Sequence, residues 1–163
     1  MKNKKIIGIG EYTVSNDNEE LIVTLGLGSC VGVCLLDKKK KIGAMIHVML
    51  PDSGGKDTPK PGKYADSGIK IVLNEMKNKG ANLSSIEAKI AGGAAMFGNS
   101  SKTMDIGKRN VEAIKNILKQ ENIRIVAEDT GGNRARSIEF NVNNSELMIK
   151  KVGGGEKVEI KVI

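Results

Sequence analysis

The sequence predicts a strand-rich, layered α/β fold, and three observations carry that reading. Short apolar runs rich in β-branched residues recur between glycines and polar residues, the pattern of strands. Only two stretches, about 65–79 and 107–121, space their apolar residues as a helix does. At 163 residues, with 39% hydrophobic and 28% charged side chains, the chain is long enough for one core and too apolar for disorder. One domain over 1–163 is expected.

The elements follow in order. Ile6–Ile9 and Leu21–Leu25 read as strands, then Val31–Leu36 and Ile42–Leu50 with Asp37 and four lysines turning between them. Pro51 ends the fourth, because proline cannot donate to a ladder. Residues 52–63, DSGGKDTPKPGK, combine two prolines with three glycines and read as a mobile surface loop. The first helix, Ala65 to Lys79, lines up Ala65, Ile69, Val72, Leu73 and Met76. Asp66 or Ser67 suits its start and Gly80 its end. A strand at Ile86–Ala91 leads into Gly92-Gly93-Ala94-Ala95. The second helix, Gly107 to Glu121, carries the stripe Val111, Ile114, Ile117 and Leu118. Strands are expected near Ile123–Ala127, Ser137–Val142, Glu146–Val152 and Val158–Val162, with a turn at Gly131-Gly132 and a last hairpin turn over Gly153–Gly155.

Composition removes several functions. The net charge is +7, yet arginine occurs only at 109, 124, 134 and 136, so the excess reads as a lysine-rich solvated surface, with attraction to an acidic partner as the alternative. Trp is absent, and the aromatics are Tyr12, Tyr64, Phe97 and Phe140, too few to stack bases. Nucleic acid is therefore not an expected partner. No apolar run approaches the ~18 residues of a membrane span, so no membrane insertion is expected. The opening MKNKKIIGIGE is basic but its apolar part is too short for a signal peptide, and the expected compartment is the cytosol.

Candidate chemistry narrows to one pair. Gly26-Leu27-Gly28 lacks the third glycine and the following helix of a dinucleotide loop. His47 is the sole histidine, so a zinc site would need both cysteines and a carboxylate; no metal and no cofactor is expected. On strand spacing Cys30 and Cys34 lie about 13 Å apart, too far for a disulfide. A two-residue turn at Lys38-Lys39 would set Val31, Val33 and Leu35 against Ile46, Ala44 and Ile42 on one apolar face. The other face would then hold Cys30 directly opposite His47, with Cβ atoms about 5 Å apart. Cys30 follows Gly26, Gly28 and Ser29, whose N–H groups suit an oxyanion hole, and a neighbouring imidazole raises the thiolate fraction. From residues alone two readings stand: a nucleophile with its base, or a small buried thiol beside a satisfied core histidine. Cys34, flanked by Val33 and Leu35, reads as structural.

The order of residues resembles a known family. Thr24-Leu25-Gly26-Leu27-Gly28-Ser29-Cys30, then Gly43-Ala44-Met45-Ile46-His47-Val48-Met49-Leu50-Pro51, resembles CheD, the chemoreceptor glutamine deamidase family of bacterial chemotaxis. The likeness continues through Tyr64-Ala65-Asp66, Lys89-Ile90-Ala91-Gly92-Gly93-Ala94-Ala95-Met96, Ile106-Gly107-Lys108-Arg109-Asn110, and Asp129-Thr130-Gly131-Gly132-Asn133-Arg134 with Arg136 and Phe140.

The resemblance implies a strand-rich layered sandwich of mixed sheets with two main helices, similar to the catalytic domains of deamidating bacterial toxins. It implies a cysteine–histidine–threonine triad: Cys30 as nucleophile, His47 as base and then acid, and Thr24 orienting His47 through its hydroxyl or its main-chain carbonyl. Backbone N–H groups around Gly28 and Ser29 would hold the oxyanion. The implied reaction converts glutamine side chains of chemoreceptor cytoplasmic domains to glutamate, releasing ammonia, and CheC phosphatase is the implied second partner. The alternative is a non-catalytic regulator of CheC or receptors on the same fold.

Overall fold

The computed structural model describes residues 3–96, 105–153, 155 and 157–163. Among the described residues ten strands and two α-helices run in the order β1 (Asn3–Ile7), β2 (Tyr12–Ser15), β3 (Glu20–Leu27), β4 (Val31–Asp37), β5 (Ile42–Val48), α1 (Ala65–Asn78), β6 (Ile86–Gly92), α2 (Ile106–Gln120), β7 (Arg124–Thr130), β8 (Ala135–Asn141), β9 (Leu147–Val152) and β10 (Glu159–Val162). They build two five-stranded sheets, β1-β3-β8-β9-β10 and β2-β5-β4-β6-β7. Both are mixed: β1 runs parallel to β3 and β6 parallel to β7, while the other pairs are antiparallel.

Strands β4 and β5 are buried on both faces, which is why they read as nearly continuous apolar runs. One face, with Val31, Val33, Leu35, Ala44 and Ile46, packs against Ile69, Val72 and Met76 of α1 and Ile114 and Leu118 of α2. The other, with Cys34, Leu36 and Met45, packs against Ile22, Leu27, Ile138 and Phe140 of the first sheet. The layers are therefore helices, sheet, sheet. Gly32 lets the two sheets close up: a Cβ there would lie 2.5 Å from the Ile138 Cδ1 atom.

Several boundaries differ from the sequence reading. The first strand begins at Asn3 and ends at Ile7, and β2 is an additional strand. Its four residues are too few for a period to show, and pairing with β5 is what holds it. The β4–β5 hairpin closes at Asp37 and Ile42 around a four-residue loop in which Lys41 has φ 53°. The two-residue turn is thus replaced, and the register slides so that Gly32, not Cys30, faces His47 and Cys34 faces Met45. A slide of this size preserves the faces, because side chains alternate with period two. The end of the 52–63 loop is also not free: Pro61–Lys63 form a 3-10 turn whose Lys63 carbonyl accepts from the N–H groups of Met49 and Leu50. Gly154 of the last hairpin turn lies outside the described residues.

Candidate active site

The site forms where the two sheets meet. Thr24 lies near the end of β3, directly opposite Ile7 of the parallel strand β1. His47 lies near the end of β5, and both side chains are fully buried. Thr24 Oγ1 is 2.8 Å from the Ile7 carbonyl oxygen and 2.7 Å from His47 Nδ1. A carbonyl has no proton to give, so the hydroxyl donates to Ile7 and presents a lone pair to the ring. Nδ1 must then carry the proton, which leaves Nε2 as the basic nitrogen. That Nε2 is buried and has no hydrogen-bond partner among the described residues. Burial pushes the imidazole pKa down to about 4 against the opposing pull of the Glu11 carboxylate, so the ring is neutral near neutrality.

Cys30 sits one residue before β4 and packs against the same inter-sheet cluster as Cys34 and Met45. It is half-buried, and burial raises its thiol pKa above the ordinary value. Since Nε2 has no partner, no hydrogen bond joins the thiol to the imidazole in the free protein. The expected gain in resting thiolate is therefore absent, and the arrangement is a neutral thiol on the same face as a neutral base. Cys34 is fully buried, with its thiol pushed far up by burial. It is a core residue.

The segment before Cys30 is shaped by glycine. Gly26 has φ 69°, which a side chain would strain, and its carbonyl accepts from the Gly28 N–H at 3.1 Å. Gly28 is thereby not a free donor, whereas no hydrogen bond among the described residues engages the N–H of Ser29 or of Cys30. From behind, the Gly93 N–H donates to the Cys30 carbonyl at 2.9 Å and the Ala94 N–H to the Gly28 carbonyl at 2.8 Å. Met96 reaches over the loop, its Cγ 3.1 Å from where a Gly28 Cβ would stand.

Sequence reasoning passed over Asn110. It is fully buried on α2, and its side-chain Nδ2 donates to the carbonyls of Ser29 and Met49, each at 3.0 Å. The available signal was its place in the buried stripe Gly107, Asn110, Ile114 and Leu118, a polar residue at helical spacing among apolar ones.

Known proteins are similar to this chain almost end to end. The chain is 61% identical over 160 residues to the chemoreceptor glutamine deamidase CheD of Thermotoga maritima, covering 98% of this chain and 99% of that one. This chain belongs to the CheD family. The family model described as CheD chemotactic sensory transduction matches residues 49–151. Probable chemoreceptor glutamine deamidases of the CheD family from Clostridium tetani and Thermococcus kodakarensis are 46% and 41% identical, over 93% and 94% of this chain and 93% and 96% of their own. A solved structure, YfiH of Bacillus licheniformis, aligns with this CheD-family chain at a TM-score of 0.47 and 13% identity, over 74% of this chain and half of its own.

Proposed function

We propose that the protein hydrolyses the side-chain amide of glutamine residues in chemoreceptor cytoplasmic domains, with Cys30 as nucleophile, His47 as proton carrier and Thr24 as the group that orients His47. The observation that carries this reading is the proton chain from His47 Nδ1–H to Thr24 Oγ1 to the Ile7 carbonyl, which leaves Nε2 basic and unengaged on the face that holds Cys30. The names of the relatives supply the substrate class.

In this mechanism Nε2 takes the Cys30 proton as Sγ attacks the glutamine carbonyl carbon. The oxyanion is held by the N–H groups of Ser29 and Cys30, which no hydrogen bond among the described residues engages. Imidazolium returns its proton to the departing nitrogen, ammonia leaves, and a thioester remains. Nε2 then draws a proton from water, hydroxide attacks the thioester, the Cys30 sulfur leaves and takes that proton back from the imidazolium, and glutamate is formed. The balance is one amide and one water converted to one carboxylic acid and one ammonia. Acyl transfer through a thiol needs no metal or organic cofactor.

The same reading includes the CheC phosphatase as a second partner and the cytoplasm as the place of action. Met49 and Met96, both exposed near the Cys30 loop, offer adaptable apolar contact to a protein surface. No helix of the described chain is long and apolar enough to cross a membrane. Incubation with a purified chemoreceptor cytoplasmic fragment tests the activity: ammonia release, with conversion of a glutamine to glutamate in the mass spectrum, is expected. A fragment that binds but is never converted favours the regulatory alternative.

A further inference from the structure

We infer that Asn110 is a positioning residue that sets the oxyanion-binding N–H of Cys30 and ties the nucleophile loop to the strand of the base. The inference rests on the acyl-transfer reading above and adds to it a residue from α2.

The ladder between β4 and β5 ends at the pair Val31–Val48. One residue beyond, the two chains separate, because Met49 turns to the Lys63 carbonyl instead. Asn110 spans that opening: one amide nitrogen donates both to Ser29, the residue before the nucleophile, and to Met49, two residues after the base. Its reach is prepared by a close approach one turn earlier. Gly107 lies against Gly93, where a Cβ would stand 2.6 Å from the Gly93 carbonyl carbon and oxygen. Positions three apart share a helix face, so this contact brings Asn110 down onto the loop.

Peptide planarity then does the aiming. Among the described residues every peptide bond is trans, and in a trans peptide the C=O and N–H point in opposite directions. Drawing the Ser29 carbonyl to Asn110 turns the Cys30 N–H away from the helix, where it meets no partner among the described residues. Holding polar groups ready for charge that develops only during reaction is the feature that makes oxyanion sites effective. The cost is visible in the structure: Asn110 Oδ1 is buried without a partner among the described residues. A residue kept only for packing on this stripe would more simply be apolar.

The test uses Asn110→Ala and Asn110→Asp in the full chain, the second keeping the size but setting oxygen lone pairs against two carbonyls. Deamidation of the chemoreceptor fragment is expected to lose about 10²-fold or more in kcat, with KM little changed. Alkylation of Cys30 by iodoacetamide at alkaline pH, where the thiol ionises without His47, is expected to keep the parent rate, because displacement at carbon forms no oxyanion. Parent-like kcat in both variants overturns the inference. So does a parallel fall in deamidation and alkylation, or loss of cooperative unfolding in both variants, since Asn110 would then only hold the loop's shape. Absence of ammonia release by the parent overturns the deamidase reading itself, and the inference with it.

Discussion

Thr24 Oγ1 and His47 Nδ1 lie 2.7 Å apart, and the bond between them crosses from one sheet to the other. The hydroxyl is itself tied to the Ile7 carbonyl of β1, so three strands of two sheets decide which imidazole nitrogen is basic. Orientation through the side chain, not the main chain, is the geometry present.

Thr24→Val keeps the shape and removes both the acceptor for Nδ1–H and the donor to Ile7. The ring is then free to take the other tautomer. A loss on the order of 10²-fold in kcat is expected, the scale of general acid–base catalysis. Thr24→Ser, which keeps the hydroxyl, should recover most of it. Steady-state ammonia release by the two variants checks this, and equal loss in both would remove the hydroxyl from the mechanism.

The two thiols should separate cleanly. Cys30→Ala is expected to abolish deamidation, by as much as about 10⁶-fold if the nucleophile is lost. Cys34→Ala, deep in the inter-sheet core, should keep most activity and instead lower the melting temperature. Comparison of activity and thermal unfolding for both variants decides; indistinguishable activities would reject Cys30.

Acid dependence follows from burial. As base, His47 must be neutral, and burial lowers its pKa to about 4. The acid limb of kcat/KM is therefore expected well below the ordinary histidine range, with about a tenfold loss per pH unit only below that value. Because Cys30 is raised and not paired, iodoacetamide at about pH 6.5 should label it no faster than an ordinary thiol. A fast reaction that His47→Ala abolishes would instead reveal a preformed ion pair.

Behind the Cys30 loop, the Arg136 guanidinium of β8 lies 3.3 Å from the Asp129 carboxylate of β7, both nearly inaccessible. Burial favours the neutral acid, but Lys151, Arg136 and Lys161 outweigh it and hold the Asp129 pKa below the usual carboxylate range. A depressed folded-state pKa adds stability above the ordinary carboxylate pKa, and this is lost as pH falls through the lowered value. Arg136→Met removes one of these three cationic partners and leaves Lys151 and Lys161, so it is expected to cost about 1.5–3 kcal/mol at neutral pH, the scale of a hydrogen bond to a charged group. Denaturant titrations at neutral and acid pH check both the loss and a flatter acid slope.

The chain's own pattern was sufficient for both helices, for most strands and for the face that Cys30 shares with His47. Helical spacing at Ile69, Val72 and Met76, or alternation along β4, reports burial directly, because each is a local consequence of which side meets water. The face survived an error in the turn, since Asp37 and Ile42 close a longer loop that slides the register by a whole side-chain period.

Local pattern is silent on what lies opposite. Thr24, Ile7 and His47 are far apart along the chain, and nothing in a strand's alternation says which residue of another sheet its hydroxyl will meet. Asn110 stood in a block shared with the family, but no role could be given to it until packing placed two carbonyls beside its amide. Periodicity and residue type were enough to say which residues are buried and to narrow the candidate chemistry to the Cys30–His47 pair. Tertiary structure alone decided the imidazole tautomer, the separation of thiol from base and the free N–H groups, because hydrogen-bond partners are set by distances of a few ångströms between segments whose approach only the packed sheets and helices define.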